Sequence, residues 1–223
     1  TPRGGFNGSF GALLNGQAAV TGTVVPTRNG AAVRIRSDNA GGVLASAGVF
    51  SSARGGKLDL QLTPRGQDGV YDGVADITGV RVIDAPVLAE LLNAVSVVGI
   101  LEQLNGEGLL FNQALGEFIV TPGAVEISRA SAVGASLGVS MAGVYGTDSG
   151  TLALQGVVSP IYMLNGIGSV LTRRGEGLFG FNYDIGGTSE RPRVSVNPLS
   201  ILTPGMFREI FRAAPPSLQD PGG

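Results

Sequence analysis

Apolar and polar residues alternate along most of this chain with the period of two that a half-buried β-strand imposes. The run KLDLQL sets Leu58, Leu60 and Leu62 on one face and Lys57, Asp59 and Gln61 on the other. AVRIR does the same, with Val33 and Ile35 opposed to Arg34 and Arg36. Comparable runs lie at 18–25, 43–49, 70–77, 79–83, 118–120, 124–128, 137–145, 151–158, 178–185 and 193–196. Between them come Arg28-Asn29-Gly30, Asp68-Gly69, Thr121-Pro122-Gly123 and Asp148-Ser149-Gly150, all suited to tight reversals. The pattern predicts antiparallel strands joined in chain order.

Two segments switch to helical spacing. In residues 84–108, Leu88, Leu91, Leu92 and Val95 recur every three or four positions, with Asp84 placed to cap and Pro86 in the first turn. Ser96 restarts a second short helix carrying Ile100, Leu101 and Leu104, which Gly106 ends. Glu90, Asn93, Glu102 and Gln103 make this stretch too polar to span a bilayer, so a helical pair packed on the sheet is expected. A further helix is expected over 204–212, with Thr203 as cap. Its apolar side is Met206, Phe207, Ile210 and Phe211, flanked by Arg208 and Arg212, which suits a lid on the sheet or a membrane interface. Residues 215–223 read as a disordered tail.

The fold class is therefore all-β in the main, a long curved antiparallel sheet with short helices at about 86–104 and 204–212. A dozen strands with apolar faces outnumber what these helices cover. The rest of that face must close on itself or stay open as a groove. Phe179, Phe181, Tyr183 and Ile185 show the asymmetry best, because Gly180, Asn182, Asp184 and Gly186 between them leave the other face nearly bare. These four, with Leu152, Leu154, Leu58, Leu60 and Leu62, are the candidates for a groove wall, or else for a sandwich core.

Composition narrows the chemistry. The chain has 223 residues, with 15 basic against 17 acidic side chains and 37 glycines. A net charge of −2 offers no basic stripe for nucleic acid. Only Lys57 is a lysine; the other basic residues are arginines. Without histidine or cysteine there is no Ser-His-Asp triad, no thiolate and none of the familiar zinc sites. Gly166 and Gly168 lack the third glycine of a dinucleotide fingerprint, and no phosphate-binding loop precedes Lys57. Asp68, Asp72 and Asp76 stand four apart without an EF-hand pattern, which reads as a solvated strand face. No catalytic residue, metal or cofactor is assigned.

From 74 to 212 the order of motifs resembles the C-terminal region of the AsmA-like proteins, in the YhdP branch related to TamB. The pieces are APVLAELLNA, SVVGILEQLNGEGLLF, GEFIVTPGAVEI, GASLGVSMAGVY, GTLALQGVVSPIYMLN and GEGLFGFNYDIGG, then RPRVSVNPLSILTPGMFR. After Asn165 the chain departs, its GIGSVLTRRGEG being short for that family. Residues 1–73 match only as generic β-groove repeats, which divides the chain at 73/74, with the AsmA-like module running to 214. The resemblance implies a U-shaped groove in a bridge-like lipid-transfer protein of the Gram-negative envelope. It further implies a periplasmic location behind an inner-membrane anchor. Phospholipid acyl chains would be the cargo, with the C-terminal end meeting the outer membrane or a protein in it. The alternative is an envelope scaffold or assembly factor that recruits partners along its sheet edges.

Overall fold

A computed structural model describes residues 7–16, 18–95, 98–160 and 180–197. They form one antiparallel sheet of twelve strands that does not close into a barrel. In chain order these are β1 (Gly8–Leu14), β2 (Ala18–Thr27), β3 (Gly30–Ser37), β4 (Ala53–Arg54), β5 (Lys57–Pro64) and β6 (Tyr71–Val82). Then follow β7 (Leu109–Thr121), β8 (Ala124–Gly134), β9 (Leu137–Gly146), β10 (Leu152–Pro160), β11 (Phe181–Gly187) and β12 (Pro192–Asn197). Spatial order repeats chain order, β1-β2-β3-β5-β6-β7-β8-β9-β10-β11-β12, with two-residue β4 paired to the end of β6. Residue 73, where the sequence reading divides the chain, falls inside β6, and the sheet runs through it unbroken.

The two rims of the sheet differ. At one, tight turns at Arg28-Asn29, 65–70, Pro122-Gly123, 147–151 and 188–191 join neighbouring strands. Gly69 and Gly150 within these turns, and Gly30 just after the first of them, hold positive φ. At the other rim sit helices α1 (Ala40–Ser46), α2 (Pro86–Ala94) and α3 (Val98–Asn105). The helical pair expected between 86 and 104 is present, and Gly106 follows its last residue.

Three local readings need correction. The 43–49 run is helical over its first part, in α1, and not a strand. Its small residues fit either state, and capping decides: Asn39 Oδ1 accepts from the Gly42 amide while Ala40 N donates to Gly56 O. Asp84 does not cap α2; Pro86 fills the first helical position, which makes Ala85 the N-cap, and Asp84 sits at φ +50°. The runs at 70–77 and 79–83 belong to one strand, β6. Its pairing with β7 skips Gly79 and Asn112, and Gly79 takes φ +67°. That irregularity changes the facing of the strand, so Val80 and Val82 join the same core as Ile77 although they are out of step with it. The helix expected over 204–212 lies outside the described residues.

Two cores hold the helices down. Under α1, Ala18, Val20, Val43 and Leu58 are buried together. The larger core gathers Leu91, Leu92 and Leu104 from the helical pair with Val82 of β6, Phe111 of β7, Val158 of β10 and Tyr183 of β11. Helix α2 leaves β6 yet packs against β12, six strands further along the sheet. The intervening strands must curl for this to happen, and the helical pair plugs the curl at its helical rim.

Candidate functional site

Directly opposed residues of antiparallel strands point to the same face, so the strand registers give the composition of each cross-strand row. One row runs through the whole sheet: Phe10, Gly22, Ile35, Leu60, Ala75, Gly116, Ala130, Met141, Gly156, Tyr183, Val196. The next is Gly8, Val24, Val33, Leu62, Gly73, Phe118, Ile127, Gly143, Leu154, Ile185, Val194. The Tyr183 hydroxyl is the one polar side-chain group in either. Toward the helices a third row is apolar from Leu58 to Phe181, by way of Ile77, Ala114, Ala132, Val139 and Val158. Toward the turns a fourth runs Pro64, Tyr71, Val120, Val125, Tyr145, Leu152. A bulge in β8 keeps this face in step, bringing Ile127 and Ala130 to one side although they are three apart.

Burial is uneven across these rows. Beside the helices Leu58 and Val158 are buried, and Ile77, Ala132, Val139 and Phe181 are half-buried but packed against the two cores. Away from the helices Val33, Leu62, Phe118, Tyr71 and Tyr145 are half-buried and pack against neither core, so among the described residues the face there is an open apolar trough. Of the sequence-derived candidates, Tyr183, Ile185 and Leu154 lie in the larger closed core, with Phe181 and Leu152 half-buried at its margin. Leu58 is buried beneath α1, Leu60 packs at the edge of that core, and Leu62 stands in the trough apart from both. Phe179, Met206, Phe207, Arg208, Ile210, Phe211 and Arg212 lie outside the described residues. The alternation of single strands reveals neither Phe118, Ile127, Met141 nor Tyr145, because only the register aligns them.

Three aromatic rings lie across glycines of the adjacent strand. A methyl group on Gly22 would overlap Phe10, one on Gly73 would overlap Phe118, and one on Gly156 would come 2.7 Å from the Tyr183 hydroxyl. The pairs are directly opposed in register. Glycine gives each ring room to lie along the sheet, where a larger neighbour would make it stand up into the trough. Tyr183 reaches past Gly156 to donate a 2.7 Å hydrogen bond to Ser140 O on β9. Burial pushes its phenol pKa well above the ordinary value, so the hydroxyl remains a donor throughout the physiological range.

The opposite face mixes ion pairs with exposed apolar side chains, Val25, Val74, Leu115 and Val133 among them. Arg34 and Arg36 both bond to Asp59, Arg65 bonds to Asp72, and Arg129 bonds to Glu117. Hydrogen bonding from Arg34 holds the Asp59 carboxyl below its usual pKa. An open cleft of about 690 Å³ on this face is lined by Arg36, Lys57, Asp59 and Asp76 among others. Asp76 lies directly opposite Asp59, and its Oδ1 is buried without a hydrogen-bond partner. Among the described residues no three acidic side chains converge on a metal-sized site. No described helix is long and apolar enough to cross a membrane.

No protein-family model matches the chain, and neither the curated proteins nor the solved structures include a significant match to it.

Proposed function

We propose that this chain is a section of a conduit for lipid acyl chains, working without catalysis in the periplasm of a Gram-negative envelope. One observation carries the reading: unbroken apolar rows cross the sheet and are half-exposed away from the helices. An acyl chain in such a trough escapes water at ~0.8 kcal/mol per CH₂, on the order of 10 kcal/mol for a whole chain. Relative to a bilayer it gains little, because a wall of Val, Leu, Ile and Phe without polar anchors resembles lipid. Cargo is sheltered and left free to slide. The resemblance of the motif order to that of the AsmA-like proteins is what points to the envelope setting, with phospholipid as the cargo and the outer membrane as the C-terminal neighbour.

The direct test is to purify the chain from cells under mild conditions and identify bound lipid by mass spectrometry. Stoichiometric phospholipid is the expected result; a lipid-free chain that takes up none from vesicles rejects the conduit. Such a result would favour the second reading, a scaffold that binds partners along a sheet edge. That reading has its own observation: β1, an edge strand among the described residues, carries neither charge nor proline, whereas β12 carries Pro192 and Arg193.

The proposal leaves the carboxylates without a chemical role. Asp72→Asn and Asp76→Asn are each expected to keep envelope function at the wild-type level in a complementation assay. Asp76→Asn also removes the opposition of like charges to Asp59, so its stability should not fall. Loss of function in either variant at normal abundance would show that the carboxylates do chemistry.

A further inference from the structure

We infer that lipid headgroups travel along the rim of tight turns, and that this rim suits zwitterionic rather than anionic headgroups. The inference deepens the conduit reading and rests on it.

The first half follows from where the trough is shut. Helices α1, α2 and α3 close the apolar face at one rim, so a headgroup cannot leave water there without burial among Leu58, Leu91 and Leu104. Among the described residues the turn rim has no such cover: Arg28, Arg65, Asp68, Asp148 and Glu190 are all exposed. Depth agrees. From the row of Leu60 and Met141 to that of Tyr71 and Tyr145 is four residues along each strand, or about 13 Å. One leaflet of a bilayer holds tails within ~15 Å. Tails pointing toward the helices thus bring their headgroups level with the turns. Tyr71 and Tyr145, half-buried in the last apolar row, suit the boundary between apolar wall and water.

The second half follows from charge. The turns joining β2–β3, β5–β6, β9–β10 and β11–β12 carry Arg28, Arg65 and Arg191 against Asp68, Asp148 and Glu190. Arg65 bonds to Asp72, which leaves two turn arginines facing three turn carboxylates. The β7–β8 turn, Pro122-Gly123, is uncharged. A rim built for anionic headgroups would present a basic row, since each Lys or Arg near a charged lipid surface contributes measurably to binding. This rim presents both signs, with carboxylates in slight excess, so it offers partners to the ammonium and to the phosphate of a zwitterion and no basic row to an anionic lipid.

The test loads the full chain from vesicles of equimolar phosphatidylethanolamine and phosphatidylglycerol and measures the bound ratio by mass spectrometry. Wild type is expected to carry no excess of the anionic lipid. The triple variant Asp68→Lys, Asp148→Lys, Glu190→Lys is expected to shift that ratio toward phosphatidylglycerol by about fivefold for each new charge that meets a headgroup. The shift should shrink at high salt. All three positions are exposed turn residues, so total lipid bound should be unchanged. An anionic excess on wild type, or an unaltered ratio in the variant while both proteins carry lipid, overturns the inference and leaves the conduit standing. Failure of both proteins to bind either lipid overturns the conduit itself, and the inference with it.

Discussion

Gly156→Val is expected to unfold the chain, or to lower its stability by about 4 kcal/mol, out of the 5–15 kcal/mol that a domain typically has. A Cβ on Gly156 would overlap the Ser140 carbonyl, which is backbone held in the sheet between β9 and β10. It would also press on the Tyr183 hydroxyl, whose hydrogen bond ends on that same carbonyl. Neither obstacle can swing aside: the strand is hydrogen-bonded on both sides, and Tyr183 is 2% exposed. The variant therefore meets overpacking and the loss of a buried hydrogen bond together. Gly73→Ala provides the contrast. There the overlap is with the outer atoms of the Phe118 ring, and that ring is half-buried at an open face, free to lift. Urea unfolding should place Gly73→Ala within about 1 kcal/mol of wild type. Equal midpoints for all three proteins would mean that the aromatic rings do not lie over the glycines as described.

Leu62→Glu is expected to abolish retained lipid while leaving the sheet folded. Leu62 lies in the trough, half-buried, outside the cores under α1 and under the α2–α3 pair. A carboxylate there meets water in the empty trough and costs the fold little. Once an acyl chain covers it, the same carboxylate is stripped of water among Val33, Gly73 and Phe118, at a cost of several kcal/mol or an equivalent shift in pKa. Bound lipid per chain, measured after purification, should fall at least tenfold, with circular dichroism unchanged. Because a protonated glutamic acid is tolerated better, some lipid should return on loading at low pH. Full lipid occupancy in Leu62→Glu at neutral pH would move the cargo elsewhere on the molecule.

Much of the sheet can be read from local pattern, and its face cannot. Strand β5 is legible because leucines alternate with charged and polar residues over six positions, and the hairpins are legible because Asn29-Gly30, Asp68-Gly69 and Ser149-Gly150 specify reversals. The helical pair is legible because its leucines change period. β1 goes unrecognised: GSFGALL contains no β-branched residue and exists as a strand through its pairing with β2. The α1 segment misleads because small apolar residues obey both periods, and a single cap at Asn39 settles the outcome. The rows of the trough are invisible for a different reason. They consist of one residue from each strand, often only a glycine or alanine, and a register error of one residue would exchange them for Arg36, Asp59 and Asp76. Likewise, alternation marks the Tyr183 and Ile185 side of β11 as apolar. That helices from residues 86–105 cover it is a long-range fact no local window contains.

Because every long strand pairs with its neighbours in sequence, the architecture has no step that depends on a distant crossover. Insertion or duplication of one hairpin at an edge would leave every other pairing as it was and lengthen the apolar path by two strand spacings, about 9.6 Å. An even number of strands also returns the turns to the same rim, so the headgroup side and the helical side keep their identities through the addition. Nearest-neighbour construction of this kind lets folding spread from any formed hairpin to the next. It also makes the span of such a chain a property that lineages can adjust in whole increments, by unequal exchange between similar hairpins, without redesigning a core.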